Sequence, residues 1–329
     1  MASYGRQRIP GPLNPSMGSG GGPGTVINNI TIDTTPWTRP SDWLTMPSVS
    51  PGDEKIVLLF KVTNGHNQVG ISNDYDFSVD WGDGAGFQNY SAGTANKDLA
   101  WSDYSSGTLT SGGFRQALVT IVPQNAGELH LPSWGEQSGT GSRLSNGCLE
   151  AILAGPNLND AGSSYSYWDL KKFTFIGTTN ATQWSFNTCP SIELIVGTSW
   201  TSNFTTCQNM FEYSPLLKTI PSFNLSNCTN FSSMFSDCLS LEYIPSIDTS
   251  AGTNFEAMFD NCPSLKYVPT LNTSNGSNFL YMFYGCPSLK SISLTKLTEQ
   301  PISGINSVLQ SFNVPNINFD IDFSNCKLS

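Results

Sequence analysis

Two aspartates in one tight turn have the residue type and spacing that suit a hard cation. Asp80 and Asp83 lie in the segment 79–84, Val-Asp-Trp-Gly-Asp-Gly, and carboxylates beside turn carbonyls are ligands that calcium prefers. The same carboxylates can instead accept hydrogen bonds from amides of their own turn, where the glycines permit positive φ. We therefore weigh a calcium site against a self-capped turn, and the sequence favours the self-capped turn.

Catalytic residues are harder to find. His66 and His130 are the two histidines of the chain, and neither lies in a motif for nucleophilic catalysis. The 25 acidic residues could include a carboxylate pair of the glycosidase kind, but no hydrolase signature accompanies them. We expect no enzymatic activity and no cofactor apart from the possible calcium ion, with a capsule depolymerase as an alternative.

The eight cysteines all lie from residue 148 onward, which could indicate disulfides or a zinc site. Cys238, Cys262 and Cys286 recur every 24 residues, and stacked helices would hold them about 8–10 Å apart, beyond the roughly 7 Å Cα separation of a disulfide. Zinc would need paired ligands such as C-x2-C. The spacing therefore predicts buried thiols that behave as small apolar side chains.

Met-Phe pairs recur at the same 24-residue interval. In each copy Phe, Met, Phe and Cys fall at i, i+3, i+4 and i+7, one face of two helical turns, so both residues of each pair are expected in the core. The following Leu-x-x-Ile-Pro resembles a short strand. We predict a leucine-rich-repeat solenoid of short helix plus short strand per unit over residues 143–294, with a C-terminal cap over 295–329. The pairs are Met210-Phe211, Met234-Phe235, Met258-Phe259 and Met282-Phe283.

The strand of each predicted unit carries residues that would point away from the core. Tyrosines flanked by lysine and glutamate offer aromatic area with polar tips, which suits a glycan or a protein on a host surface. The alternative is that a repeat tolerates any polar residue at these positions, and the sequence favours neither. The residues of this candidate ligand face are Lys218, Glu242, Tyr243, Lys266, Tyr267 and Lys290.

The part before the repeats divides in two. Residues 1–36 are rich in Gly and Pro and predict an extended arm, in which Val26, Ile30 and Ile32 alternate like a strand donated to a neighbouring subunit; a flexible tail is the alternative. Short apolar segments between turn-rich stretches predict an antiparallel β-sandwich over 37–142. The predicted fold class is multidomain β and α/β.

Composition limits the partners. The net charge is −10 and charged residues make up 12% of the chain, so the clustered cations that neutralise nucleic-acid phosphates are missing. We expect no nucleic-acid partner. Residues 1–24 contain no apolar segment of a signal peptide, and no long apolar run follows, so we expect synthesis in a cytoplasm and no membrane span.

Three stretches resemble known families. The segment 77–84 followed by 117–122 resembles a polycystic-kidney-disease (PKD) type, immunoglobulin-like β-sandwich. The units Asn-Phe-x-x-Met-Phe-x-x-Cys-x-Ser-Leu-x-x-Ile-Pro resemble the BspA-type leucine-rich repeats of bacterial surface proteins. The segments 37–47, 80–84 and 113–123, in that order before such repeats, resemble structural proteins of tailed bacteriophages.

The phage resemblance implies a non-enzymatic virion protein, either a tail fibre or a capsid decoration. It also implies that residues 1–36 bind other virion proteins and that the repeats contact a host surface or neighbouring subunits. We expect a homo-oligomer, because a Gly-rich anchor gains affinity when several copies engage at once. A bacterial cell-surface adhesin with the same two folds is the alternative.

Overall fold

The computed structural model describes residues 37–50, 52–65, 67–129, 147–158, 169–179, 185–201, 204–295 and 318–321. These residues form β-strands, turns and two short 3-10 helices, Trp101–Asp103 and Ser106–Thr108, and none of them lies in an α-helix. The strands are β1 (Lys55–Val62), β2 (Gln68–Asn73), β3 (Phe77–Asp80), β4 (Gln88–Tyr90), β5 (Gly93–Asp98), β6 (Arg115–Pro123), β7 (Cys148–Leu158), β8 (Lys172–Thr179), β9 (Leu194–Thr201), β10 (Leu271–Asn272), β11 (Ser291–Thr295) and β12 (Asn318–Ile321).

A mixed seven-stranded sheet has the order β4-β3-β6-β1-β7-β8-β9. Pairing is antiparallel from β4 to β7 and parallel from β7 to β9. The apolar strand β1 lies near the middle, where Leu58 is opposite Val119 on one side and Ala151 on the other. A run of buried apolar residues such as β1 is typical of a strand covered on both faces, and residues 56–60 of this strand are all buried.

The predicted PKD/Ig-like β-sandwich is wrong. Outside the seven-stranded sheet, β2 pairs only with β5 in a two-stranded sheet, whereas a sandwich needs two larger sheets face to face. Strand β1 instead gains a neighbour from beyond residue 142, because β7 pairs along it. The seven-stranded sheet therefore continues across the position that we predicted as a domain boundary.

The 24-residue repeats form a ladder of turns. We call residues 204–292 the turn ladder and each of its repeats a rung. Backbone N–H groups alternate between two kinds of bond: Met234 donates to Phe231 O at 3.2 Å within one rung, and Phe235 donates to Met258 O at 2.9 Å in the next. Isolated parallel bridges, such as that between Asn230 and Asn254, add further links between rungs.

The predicted solenoid of short helix plus short strand is wrong. An α-helix needs right-handed φ values and N–H bonds to the fourth residue back, but each rung contains two residues at positive φ, four positions apart. Those residues turn alternate N–H groups toward the neighbouring rung, so bonds between rungs replace the helical ones. The positive-φ residues are Asn209 and Tyr213, Ser233 and Asp237, Ala257 and Asn261, and Tyr281 and Gly285.

The interior of the turn ladder contains two columns of stacked phenylalanines. Phe231 and Phe255 have ring centroids 5.4 Å apart, and Phe235 and Phe259 have centroids 5.3 Å apart, with nearly parallel planes in both pairs. All four Met-Phe pairs are fully buried, which confirms their predicted place in the core. Burial of such large apolar side chains is the main stabilising contribution here.

Within the segment predicted as a C-terminal cap, only residues 295 and 318–321 are described. Strand β12 pairs in parallel with β11, which pairs in parallel with β10. The predicted arm, residues 1–36 with Val26, Ile30 and Ile32, lies outside the described residues.

Candidate binding face of the turn ladder

Backbone hydrogen bonds between rungs set the spacing of the candidate ligand face. The N–H of Glu242 donates to Lys218 O at 3.1 Å, that of Lys266 to Glu242 O at 2.9 Å, and that of Lys290 to Lys266 O at 3.3 Å. These four residues therefore form one column, with the step of a β-sheet, about 4.8 Å, between neighbours.

Tyrosines form a second column beside the first. Tyr243 and Tyr267 make a parallel bridge between neighbouring rungs, and both side chains are half-buried. Leu241 and Ile244, on either side in sequence, are buried, so the Glu-Tyr pair between them faces outward. The structure thus brings all the predicted face residues together in two adjacent columns.

Two neighbouring charges of the first column are paired. Lys266 Nζ lies 2.6 Å from Glu242 Oε2. Nearer the seven-stranded sheet, Lys171 Nζ lies 3.2 Å from Glu193 Oε1, and the N–H of Glu193 donates to Lys171 O. Exposed pairs of this kind contribute at most about 1 kcal/mol each. Their main effect is to cancel charge, and Lys290 is the exposed member of the column.

The Asp80–Gly84 turn is self-capped. Asp80 Oδ1 accepts from the N–H of Gly82 at 2.9 Å, and Asp83 Oδ1 accepts from the N–H of Ala85 at 3.0 Å. The other Asp83 oxygen forms an ion pair with the Lys97 ammonium. The hydrogen bond from Lys97 is the largest cause that lowers the pKa of Asp83 below its ordinary value of 3.8.

A calcium ion at this turn would have to displace the Lys97 ammonium from Asp83. Across the part of the chain that the structure describes, no group of three or more His, Cys, Asp or Glu side chains is placed to hold a metal ion. The calcium site therefore stays a prediction. His66 and His130 lie outside the described residues.

Thiol donors are a feature that the sequence analysis missed. In three rungs a buried cysteine S–H donates to the carbonyl oxygen of a phenylalanine in the preceding rung, and burial raises the pKa of the Cys238 and Cys262 thiols, which keeps the donor proton in place. The serine at the same position in the first rung makes the same bond, so this Cys-to-Ser replacement was the available signal. The bonds are Cys238–Phe211 (3.1 Å), Cys262–Phe235 (3.0 Å), Cys286–Phe259 (3.0 Å) and Ser214–Phe186 (3.2 Å).

Buried free thiols are confirmed for Cys148, Cys189, Cys238, Cys262 and Cys286. The prediction is wrong for Cys207 and Cys228, which form a disulfide with a Cα–Cα distance of 6.3 Å. The argument from equivalent positions in stacked repeats does not apply to this pair, because the two cysteines are 21 residues apart and occupy different positions in their rungs.

A buried carboxylate attaches residues 37–47 to the sheet. The Glu150 side chain is 1% exposed and lies 2.6 Å from Arg39 Nε and 3.2 Å from Lys172 Nζ. Arg39 also donates to the carbonyl oxygens of Trp43 and Leu44. The motif that contains Arg39 was singled out in the sequence only for its resemblance to phage proteins, and its observed role is to compensate a buried charge.

Within the described residues no helix is long and apolar enough to cross a membrane.

Comparison with known proteins finds one family. A family model described as a Mycoplasma protein of unknown function, DUF285, matches residues 180–297, a segment that includes the whole turn ladder. No curated protein and no solved structure matches the chain significantly. The predicted kinship with tailed-bacteriophage structural proteins, with a PKD-like sandwich and BspA-type leucine-rich repeats, is wrong: no comparison supports it, and the described fold lacks its helices. The repeat segment is thus similar to a family whose description assigns no function.

Proposed function

We propose that this chain is a non-enzymatic binding protein in which the turn ladder supports a ligand face. The observation that carries this proposal is the in-register pair Tyr243 and Tyr267, half-exposed on neighbouring rungs. Backbone bonds hold both rungs at a fixed separation, so little conformational entropy is lost when a ligand covers the two rings. Rigid aromatic area of this kind is enriched where proteins bind other molecules.

The chemistry of the face favours an extended ligand, and a surface glycan fits best. Lys266 pairs with Glu242 at 2.6 Å, and because the first column holds three lysines and one glutamate it keeps a net positive charge beside the tyrosines. The tyrosines supply flat apolar area with a hydroxyl at the tip, which matches the alternating apolar and hydroxylated surface of a sugar. A protein ligand is the second possible outcome of the test.

The test compares two double variants of equal composition. Tyr243→Ala with Tyr267→Ala removes the aromatic pair, and Tyr213→Ala with Tyr284→Ala removes two tyrosines, 49% and 47% exposed, from other columns of the ladder. Binding would be measured on glycan arrays and on whole cells, after thermal unfolding has shown that both variants are folded. We expect the first variant to lose tenfold or more in affinity, on the order of 1.4 kcal/mol, and the second to bind like the wild type. Equal binding by all three proteins would refute the ligand face.

The proposal also includes the assembly to which the protein belongs. The expected assignments are a virion protein anchored to its particle through residues 1–36, or alternatively a bacterial-surface adhesin, with a homo-oligomer in either case. Deletion of residues 1–36 should leave a folded protein that no longer joins its assembly, as measured by co-sedimentation. The alternative of a capsule depolymerase predicts that reducing ends are released from host capsule.

A further inference from the structure

In the turn ladder, a phenylalanine of one rung packs against a glycine of the next, and the ring occupies the space beside the glycine. Phe231 packs against Gly252 of the next rung, where an added Cβ would lie 3.0 Å from Phe231 Cε2 and 2.4 Å from Phe255 Cζ. Gly276, one rung further, is equally closed, because its added Cβ would lie 2.2 Å from Phe279 Cζ. The glycines are therefore required by the rings that pack over them.

One rung earlier, cysteines occupy the positions that correspond to Phe231 and Gly252. Cys207 stands 24 residues before Phe231, and Cys228 stands 24 residues before Gly252. Both are fully buried, and their sulfur atoms are bonded. A side chain at the glycine position would collide with a phenylalanine at 207, and a cysteine at 207 facing a glycine would leave a cavity. Two linked cysteines therefore stand in this step where a phenylalanine and a glycine stand one rung further on.

We propose that Cys207 and Cys228 are cross-linked in the mature protein, and that this chain therefore matures and works in an oxidising environment. The proposal is independent of the ligand face. Formation of the bond oxidises two thiols by thiol–disulfide exchange: their two electrons and two protons pass to the disulfide of an oxidoreductase or of a small molecule, which leaves as two thiols. Bonds of this kind persist outside reducing cytosols and are rare within them. This proposal replaces our expectation from the sequence that all the cysteines are buried free thiols.

The other thiols are protected from this chemistry. The five free cysteines of the described residues are all buried, and Cys238, Cys262 and Cys286 each hold their proton in a bond to a phenylalanine carbonyl. Exchange requires an accessible thiolate, and Cys207 and Cys228 are buried as well in the folded chain, so their bond forms before the rungs have closed over them. Among the seven cysteines of the described residues, we therefore expect one bond, between Cys207 and Cys228.

The first test is the thiol count of the full chain, isolated from its native source without reductant and quenched in acid. Alkylation under denaturing conditions should label the five free cysteines of the described residues, and peptide mapping should find Cys207 and Cys228 linked and unlabelled. Labelling of all eight cysteines in that material would overturn the proposal.

The second test replaces the cross-link by the pair found elsewhere in the ladder. The wild type, unfolded and refolded with reductant, should lose roughly 5–10 °C in Tm because a loop of about 20 residues is no longer closed. The double variant Cys207→Phe with Cys228→Gly should unfold at the same temperature with and without reductant. The single variant Cys228→Ser, which cannot form the bond but keeps a side chain of similar size, is the matched control and should resemble the reduced wild type. A wild-type Tm that does not respond to reductant would contradict the proposal.

Discussion

The S–H group of Cys262 donates to the carbonyl oxygen of Phe235 at 3.0 Å, across the step between two rungs. The same carbonyl oxygen accepts from the N–H of Cys238 at 3.2 Å within its own rung. One phenylalanine oxygen therefore joins a turn to its neighbour, and the cysteine column is a column of donors as well as of apolar side chains.

Replacing Cys262 separates these two roles. Cys262→Ser keeps a donor, as Ser214 does naturally, and should stay within about 0.5 kcal/mol of the wild type in the free energy of unfolding. Cys262→Val keeps the apolar volume but loses the hydrogen bond, and should be destabilised by about 1 kcal/mol. Urea unfolding at pH 7 measures both. If valine proves as stable as serine, the donor role is wrong.

Ala257 tests the positive-φ positions that interrupt the predicted helix. Its φ is 53°, a conformation that L-residues adopt at a cost of about 1 kcal/mol and that β-branched residues adopt at a higher one. Ala257→Val should therefore lower the free energy of unfolding by about 2 kcal/mol, whereas Ala257→Gly should change it by less than about 1 kcal/mol. Chemical denaturation of the two variants distinguishes them. A helical rung would give the opposite order, because glycine destabilises a helix interior.

Gly252 tests the packing of the rings over the ladder glycines. Gly252→Ala places a Cβ 2.4 Å from Phe255 Cζ, and the ring cannot move away because it is stacked between Phe231 and Phe279. We expect a loss of about 1–3 kcal/mol in the free energy of unfolding. Gly52→Ala, where nothing lies within 4 Å of the added atom, is the control and should be nearly neutral. Thermal unfolding that gives equal Tm values for both variants would contradict this close packing of Phe255 over Gly252.

Asp83 gives a pH-dependent prediction. Its pKa is lowered in the folded state, chiefly by the hydrogen bond from Lys97. A depressed folded pKa means that the pair stabilises the protein above the unfolded pKa, near 3.8, and that this contribution is lost as pH falls through the folded value. Asp83→Asn should therefore cost about 1 kcal/mol at pH 7, since the pair is partly exposed to solvent. The difference from the wild type should disappear in acid below pH 3.8.

Urea titrations of both proteins between about pH 2 and 7 measure this difference. A difference that persists unchanged to the lowest pH would show that the loss does not come from the charge of Asp83, and that packing of the side chain accounts for it, since an asparagine oxygen can still accept the Ala85 bond. A calcium ion at this turn would have to compete with the Lys97 ammonium for the Asp83 carboxylate. An increase in Tm when calcium is added at pH 7 would therefore support the cation site over the self-capped turn.

The 24-residue period by itself determined which side chains form the core of the repeats. Residues at equivalent positions must lie in equivalent environments when identical units stack, and Met258 and Phe259 are buried for that reason. The outward positions of Tyr243 and Tyr267 follow from the same alternation. These features depend on which residues are apolar and how they are spaced, and both are visible in the chain.

Tertiary structure decided the rest. The spacing i, i+3, i+4, i+7 fits a helix, but it fits equally a turn in which every second N–H donates to the next rung, as Phe235 does to Met258. That choice depends on hydrogen bonds between residues 23 apart, and the positive-φ positions that permit them, such as Ala257, are mostly not glycines and give no local signal. The pairing of β7 with β1 and the disulfide between Cys207 and Cys228 are likewise contacts between distant segments. Local preferences describe one segment at a time, whereas these features are fixed by the partner against which each segment packs.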